Sequence, residues 1–266
     1  MSCPHHRLAL ALAVLTAAGC GSIRGGVGNT TASATEPIPA ATSTEFLWFP
    51  PTETPAVAAE VTLAPTPDQK PGVGELMVAD EMTSAAHWNA TASGQAAVTV
   101  SDRGLTISAQ PGQPPVVSLH RSAIFDDMYI EVTARPSLCR ERDAYGLVFR
   151  APNEVAHYRF LGICNGTAAV ERMSLGTPHV LQPPTASADV PVGAPGEVRL
   201  GVWLHGAEFR FFLNGNYQFT VEDKNYRSGG IGVVTQAGGA TPVVVTFSDL
   251  AVYRLAAAEP AATQTP

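Results

Sequence analysis

Charged residues are scarce in this sequence, and lysine is almost missing. Only 15% of the 266 residues are charged, against about 25% in an average soluble domain. The formal net charge of −7 excludes the basic excess of a protein that neutralises phosphates, so we expect no nucleic-acid partner. No apolar run reaches the roughly 18 residues of a membrane-spanning helix, and no segment has the period of an amphipathic helix. These absences leave a β-rich protein with irregular segments attached.

The first twenty residues have the pattern of an export signal. Arg7 provides positive charge, and the apolar stretch over 8–18 has the length of a signal-peptide core. The small residues that precede Cys20 resemble the lipobox of bacterial lipoproteins, in which the signal is cut before the cysteine and lipid joins its thiol. The resemblance implies a signal peptide over 1–19 and an extracytoplasmic protein held on the bacterial membrane by lipidated Cys20. The alternative is a plain secretory signal.

Composition divides the remaining chain into one domain between two tails. Residues 20–74 are rich in Pro, Thr, Ala and Ser and predict a disordered, semi-stiff tether, because they cannot bury enough apolar surface to offset their ordering entropy. The aromatic run over 46–49 interrupts this tether, either as a sticky patch or as a docking motif. Residues 256–266 predict a second disordered tail. The domain over 75–255 is expected to act as a monomer.

Short alternating runs, separated by turn residues, make up the predicted domain. In residues 128–135 and 198–204, apolar and polar side chains alternate with a period of two, which indicates strands with one core face and one solvent face. Asn214 and Gly215 stand between two apolar strands, the strongest local signal of a type I′ hairpin. About twelve such strands, with Gly and Pro between them, predict an all-β sandwich or barrel.

Two of the four cysteines, Cys139 and Cys164, are left for the domain, because the other two belong to the export signal and its lipid site. The sequence predicts a hairpin in which Phe149 faces Tyr158, and both cysteines lie just outside its ends. Export permits a disulfide, so we expect a Cys139–Cys164 bond, with two separate buried thiols as the alternative. No second Cys or His pair stands at zinc-ligand spacing, which argues against a metal site at these cysteines.

The order of strands and turns resembles the concanavalin A-like lectin and glucanase sandwich, and its nearest branch is the 3-keto-disaccharide hydrolase type related to family 16 glycoside hydrolases. The resemblance is carried by Trp88 and by the runs at 104–107, 145–150, 157–160, 212–215, 230–233 and 245–253. It implies an all-β jelly roll of two antiparallel sheets, in which the concave face is the usual carbohydrate site.

Catalysis by family 16 enzymes depends on the motif Glu-x-Asp-x-x-Glu, which places carboxylates on one sheet face. The sequence lacks this motif, and its nearest fragment, Glu141-Arg142-Asp143, has no third acid. Asp126 and Asp127 are interpreted as turn formers. We therefore assign no catalytic residue and expect a protein that binds a glycan or another extracellular ligand. The alternatives are a hydrolase acting on (3-keto-)glycosides and a structural or adhesion module.

Candidate ligand-binding residues are the polar and aromatic side chains that the alternation points away from the core, since sugars stack on rings and bond to planar polar groups. They are Tyr129, Glu131, Arg150, His157, Arg159 and Trp203. Trp203 with Arg150 and Arg159 is the preferred surface. The alternative is that these residues are scattered in solvent and that a loop covers Trp203.

Calcium is common in proteins of the concanavalin A-like type, often near the terminal strands. The resemblance therefore implies Asp80 and Asp249 as ligands of a structural calcium ion, or else as ordinary acids at turns and edges. No other cofactor is expected.

Overall fold

The computed structural model describes residues 67–89, 92–93, 96–121 and 124–256. The predicted signal peptide, Cys20, the aromatic run over 46–49 and the tail beyond residue 256 lie outside these residues. Within them the chain forms fifteen strands and no helix, so no described segment is a helix that crosses a membrane. The last part of the predicted tether, 67–74, belongs to the folded unit.

The strands form two sheets in which all pairs are antiparallel. The first sheet contains β1 (Val73–Asp80), β2 (Ala92–Ser93), β3 (Ala96–Ser101), β4 (Gly104–Ala109), β6 (Met128–Leu138), β11 (Val198–His205), β12 (Glu208–Leu213), β13 (Asn216–Glu222) and β15 (Val243–Leu255). The second sheet contains β5 (Val116–Leu119), β7 (Ala144–Asn153), β8 (Ala156–Ile163), β9 (Thr167–Ser174), β10 (Thr177–Ala186) and β14 (Gly230–Gln236).

Strand order in the first sheet is β13-β12-β11-β6-β15-β4-β3-β2, and β1 also pairs with β15. Strand order in the second sheet is β10-β9-β8-β7-β14-β5. The two sheets pack over one core, because the inward residues of both belong to a single buried cluster that includes Ile130, Val202, Leu147 and Phe160. The predicted all-β sandwich of two antiparallel sheets is confirmed.

The two hairpins placed from the sequence are confirmed. Phe149 faces Tyr158 across β7 and β8, and the two rings stack with centroids 5.4 Å apart. Asn214 and Gly215 connect β12 to β13 with φ angles of 50° and 83°, the left-handed values that a type I′ turn requires at both positions.

A disulfide joins Cys139 to Cys164, as predicted, with their Cα atoms 5.9 Å apart. The loop beside it is fixed by Asp143, whose carboxylate accepts hydrogen bonds from the backbone N–H groups of Arg140 (2.8 Å) and Gly238 (2.9 Å). Asp143 comes from the fragment nearest to the glycosidase motif, and in the fold it is a buried anchor for the loop.

Candidate functional site

The six predicted ligand residues do not form one surface. Tyr129, Glu131 and Trp203 lie on the outer side of the first sheet, where Tyr129 and Trp203 join a cluster separate from the core. His157 and Arg159 lie on the outer side of the second sheet, at the opposite side of the sandwich. We call these surfaces the first-sheet face and the second-sheet face. The prediction that the six residues bind ligand stays a prediction.

On the first-sheet face, Trp203 is covered. Its indole N–H donates to the carbonyl of Pro71 at 2.9 Å, and the guanidinium of Arg210 stands over its ring at 4.6 Å. The ammonium of Lys70 lies 5.1 Å from the ring centroids of both Tyr129 and Phe212. The stretch 67–72 therefore passes over this face, and only 4% of Trp203 remains exposed.

Polar groups beside this aromatic cluster are engaged by one another. The hydroxyl of Tyr129 donates to Glu131 at 3.0 Å, and Arg199 reaches the same carboxylate at 2.8 Å. Burial and the adjacent charge of Glu131 raise the pKa of Tyr129 far above its ordinary value. The carboxylate of Glu131 therefore bonds to neighbouring side chains of the protein itself.

The second-sheet face is different, because buried polar groups there lack well-formed hydrogen bonds. The guanidinium of Arg159 bonds Glu171 through Nε at 2.8 Å, yet its Nη1 finds no acceptor among the described residues. Both ring nitrogens of His157 likewise lack a hydrogen bond of good geometry, although the backbones of Asn153 and Glu154 lie close to the ring, and only 1% of the residue is exposed. Burial, reinforced by the charge of Arg159, lowers the pKa of His157 to about 4. The surrounding side chains, Val148 and Leu161 among them, are apolar.

Arg150 lies on neither face. It lies within a register shift at the end of β7, between Phe149 and Asn153, and has a φ of 44°, a strained value for a residue with a side chain. The shift turns Arg150 to the end of the sandwich, where its guanidinium lies 5.0 Å from the ring centroid of Phe209 in the core. Burial lowers the pKa of Arg150, although the charge of Asp127 opposes this.

At this end of the sandwich the guanidinium of Arg150 forms the floor of a cavity of about 420 Å³, which we call the end cavity. The cavity is lined by Asp126, Asp127, Arg150, Gly206, Ala207, Lys224, Tyr226 and Arg227. Arg150 donates five hydrogen bonds: two to the carbonyl of Asp126, one each to the carbonyls of Gly206 and Tyr226, and one to the carboxylate of Asp127. These use all five N–H donors of a guanidinium.

Arg150 is therefore a positioning residue that joins three loops. Asp127 completes the support, since its carboxylate also accepts from the backbone N–H of Gly206 at 2.9 Å and lies 3.1 Å from the ring of His205. No hydrogen bond within the described residues uses the side chains of Asp126, Lys224 or Arg227, so one acceptor and two cations among the lining residues have no such bond.

The sequence did not predict these three cavity residues, because they come from loops that are far apart in the chain. Asp126 had the pattern of a turn former, and no spacing related it to residues 224–227. Lys224 is one of only two lysines, which was the one local signal available.

The predicted calcium ligands bond to different partners, although Asp80 pairs with Leu250, the neighbour of Asp249. The carboxylate of Asp80 lies 3.0 Å from the ring of His87 and 3.1 Å from that of His120. Asp249 instead accepts from the hydroxyl of Ser248 at 2.6 Å and lies 3.7 Å from Arg135. The bond from Ser248 lowers the pKa of Asp249.

No protein-family model and no curated protein matches the chain. Solved structures do. The carbohydrate-binding module CBM66 from Bacillus subtilis matches with a TM-score of 0.50 and 15% identity, over 62% of this chain and 93% of that one. A Bacillus subtilis protein of unknown function with a galectin-like fold matches with a TM-score of 0.47 and 15% identity, over 68% of this chain and 96% of that one. A Bacillus licheniformis β-glucanase matches with a TM-score of 0.45 and 10% identity, over 68% of this chain and 98% of that one.

These similarities concern the fold. With the two-sheet topology, the match to the carbohydrate-binding module supports a jelly-roll sandwich of the concanavalin A-like type. A shared fold does not fix an activity. The function has to be argued from the site.

Proposed function

We propose that this protein is a membrane-anchored, non-catalytic carbohydrate-binding protein, and that its glycan occupies the end cavity. The observation that supports this most directly is the cavity itself. Its floor is Arg150, which bonds three separate loops, while the side chains of Asp126, Lys224 and Arg227 make no hydrogen bond or ion pair among the described residues. A cavity whose shape is set before binding loses less free energy to ordering when ligand enters.

The chemistry of the lining suits a polyhydroxylated ligand. Each sugar hydroxyl both donates and accepts a hydrogen bond, so it pairs with carboxylates and with cations. Asp126 provides the acceptor, and Lys224 and Arg227 provide the donors. Tyr226 adds an aromatic ring that is held in place, because its hydroxyl donates to the carbonyl of Met173 at 3.0 Å.

The contacts of Asp127 argue against hydrolysis. A glycosidase needs one carboxylic acid that protonates the leaving group and a second carboxylate at a fixed separation. Oδ1 of Asp127 accepts from Arg150 and from the backbone N–H of Gly206, and its Oδ2 lies 3.1 Å from the ring of His205. Both oxygens are therefore engaged by the protein, so Asp127 is poorly placed to contact a leaving group.

Binding is tested with a glycan array on the purified full-length protein, followed by calorimetric titration of any glycan retained. We expect Asp126→Asn and Arg227→Ala each to weaken binding at least tenfold. The matched controls are Asp102→Asn and Arg103→Ala, which remove an exposed acid and an exposed base from the turn between β3 and β4. They should bind as the unaltered protein does. No retained glycan, or equal binding by all four variants, would overturn the proposal.

The second-sheet face is a second candidate surface, because the ring nitrogens of His157 and Nη1 of Arg159 are buried without a well-formed hydrogen bond among the described residues. His157→Phe separates the two sites. We expect it to leave glycan affinity unchanged. If it abolishes binding while Asp126→Asn does not, the ligand site is on the second-sheet face and the end-cavity assignment is wrong.

Absence of catalysis is tested by incubating the protein with each glycan it binds and measuring newly released reducing ends. We expect none above the buffer control. Release that disappears in Asp127→Asn would instead support the hydrolase alternative, including the 3-keto-glycoside branch implied by the sequence resemblance.

Membrane attachment is proposed from the residues before Cys20. In a bacterial host, Cys20→Ser should move the protein from the membrane fraction to the soluble exported fraction, because acyl chains supply the membrane affinity. Cys3→Ser is the matched control, since Cys3 lies inside the predicted signal peptide, and it should leave the protein in the membrane fraction. Retention of the Cys20→Ser protein there would contradict the lipid anchor.

A further inference from the structure

We propose that Asp80, His87 and His120 form a binding site for a divalent transition metal, of which Zn²⁺ is the best fit. The three side chains are the one group in the described part of the chain whose ligand atoms meet this way, within 4.8 Å of one another. Oδ2 of Asp80 lies 3.0 Å from Nδ1 of His87 and 3.1 Å from Nε2 of His120. Atoms bound at about 2 Å around a tetrahedral ion have separations of roughly this size.

Two of the three ligands are buried and held by the fold. Asp80 ends β1, and its other oxygen accepts the backbone N–H of Met82 at 2.7 Å. The fully buried ring of Trp88 packs edge-on against His120 with centroids 5.0 Å apart, and the backbones of these two residues form a β-bridge. The side chains of Asp80 and His120 are 7% and 8% exposed. Supporting contacts of this kind fix the orientation of metal ligands.

The third ligand is accessible. The side chain of His87 is 57% exposed and lies on the solvent side of Asp80. An ion therefore has a path of entry, and His87 can adjust to it without disturbing the core. Three protein ligands leave the fourth position of a tetrahedral ion for water or another molecule.

The donor set favours zinc over the calcium implied by the sequence resemblance. Calcium takes about six to eight oxygen ligands, whereas this cluster offers one carboxylate and two imidazoles, which suit Zn²⁺, Co²⁺ and Ni²⁺. The second predicted calcium ligand, Asp249, is occupied by Ser248 and Arg135. His87 and His120 are 33 positions apart, too far for sequence spacing to indicate a shared site.

The test uses untagged full-length protein with His5 and His6 replaced by alanine, so that the N-terminal histidine pair does not bind metal. After treatment with a chelator, Zn²⁺ is titrated by calorimetry, and Co²⁺ is followed by its visible absorption. We expect one equivalent of Zn²⁺ to bind and to raise the Tm. Co²⁺ should show the absorption bands of a nitrogen- and oxygen-coordinated ion. Ca²⁺ at the same concentration should neither bind nor change the Tm.

In the same background, His87→Ala should weaken Zn²⁺ binding at least tenfold without changing the metal-free Tm, because this side chain is exposed. His120→Gln should do the same if it folds, and His87→Ala carries the test if it does not. His205→Ala is the matched control, since His205 also lies 3.1 Å from an aspartate, Asp127. It should bind Zn²⁺ normally. No binding, unchanged binding by His87→Ala, or preferential binding of Ca²⁺ would each overturn the proposal and leave the cluster a hydrogen-bonded clamp.

Discussion

The two outer faces of the sandwich arise from the same alternation of side chains, but they differ in how their polar groups are satisfied. On the first-sheet face the Trp203 indole bonds the carbonyl of Pro71, and the Tyr129 hydroxyl bonds Glu131. On the second-sheet face both nitrogens of His157 and one of Arg159 have no well-formed hydrogen bond in the described residues. The first-sheet face is thus a completed structural surface.

The difference between the two faces teaches that a side chain which points away from the core is not necessarily available to a ligand. A buried polar group without a hydrogen bond costs about 1–3 kcal/mol, so the buried nitrogens of the second-sheet face contribute less to stability than the paired groups of the first-sheet face. The polar groups proposed as binding groups lie at neither face, but at the end cavity and in the cluster that contains His87. Three predictions test this contrast.

The largest effect is expected at Trp203. Replacing it by alanine removes a buried ring, its bond to Pro71 and its contact with Arg210, so we expect a loss of about 3–5 kcal/mol in the free energy of unfolding. Urea denaturation measures it. Tyr217→Ala is the control on the same sheet, because Tyr217 is 43% exposed, and it should cost less than about 1 kcal/mol. Equal effects would mean that the first-sheet face contributes no special stability.

The second-largest loss of stability is expected when the ion pair of the second-sheet face is broken. Glu171→Ala leaves the buried guanidinium of Arg159 without its carboxylate, and we expect a loss of about 3 kcal/mol by urea denaturation. Arg199→Ala breaks the corresponding pair with Glu131 on the first-sheet face, where Arg199 is 44% exposed. This control should lose at most about 1 kcal/mol. A larger loss for Arg199→Ala than for Glu171→Ala would reverse the comparison.

The smallest effect is a dependence on pH at His157. Burial lowers its pKa to about 4 in the folded state, below the value of about 6.5 in the unfolded chain. The unfolded state therefore binds more protons between these values, so the stability linked to His157 is complete above pH 6.5 and is lost as pH falls toward 4. By pH 5 the loss is about 2 kcal/mol.

His157→Phe removes this titration, so its free energy of unfolding should decline less between pH 7 and pH 5 than that of the unaltered protein. His179→Phe, at an exposed position on β10, is the control and should keep the full decline. Parallel pH profiles for all three proteins would show that His157 is not held neutral by burial.

Local patterns predicted much of the fold. The facing pair Phe149–Tyr158, the Asn214–Gly215 turn and the Cys139–Cys164 bond all follow from residues close to one another along a hairpin, and all three are confirmed. The candidate site was harder to predict from the sequence. Alternation assigns Arg150 to an outer face, but a local bulge turns it into the end of the sandwich, and a bulge has no reliable signature in one sequence.

By itself, the sequence determined which residues form strands and which side of each strand faces the core, because a period of two is a local property of the backbone. Only the tertiary structure decided what each outward residue meets. Trp203 is covered by Pro71, 132 positions away, and Asp80 meets His120 from 40 positions away. Such contacts depend on which strands become neighbours, and packing of the whole core determines that choice.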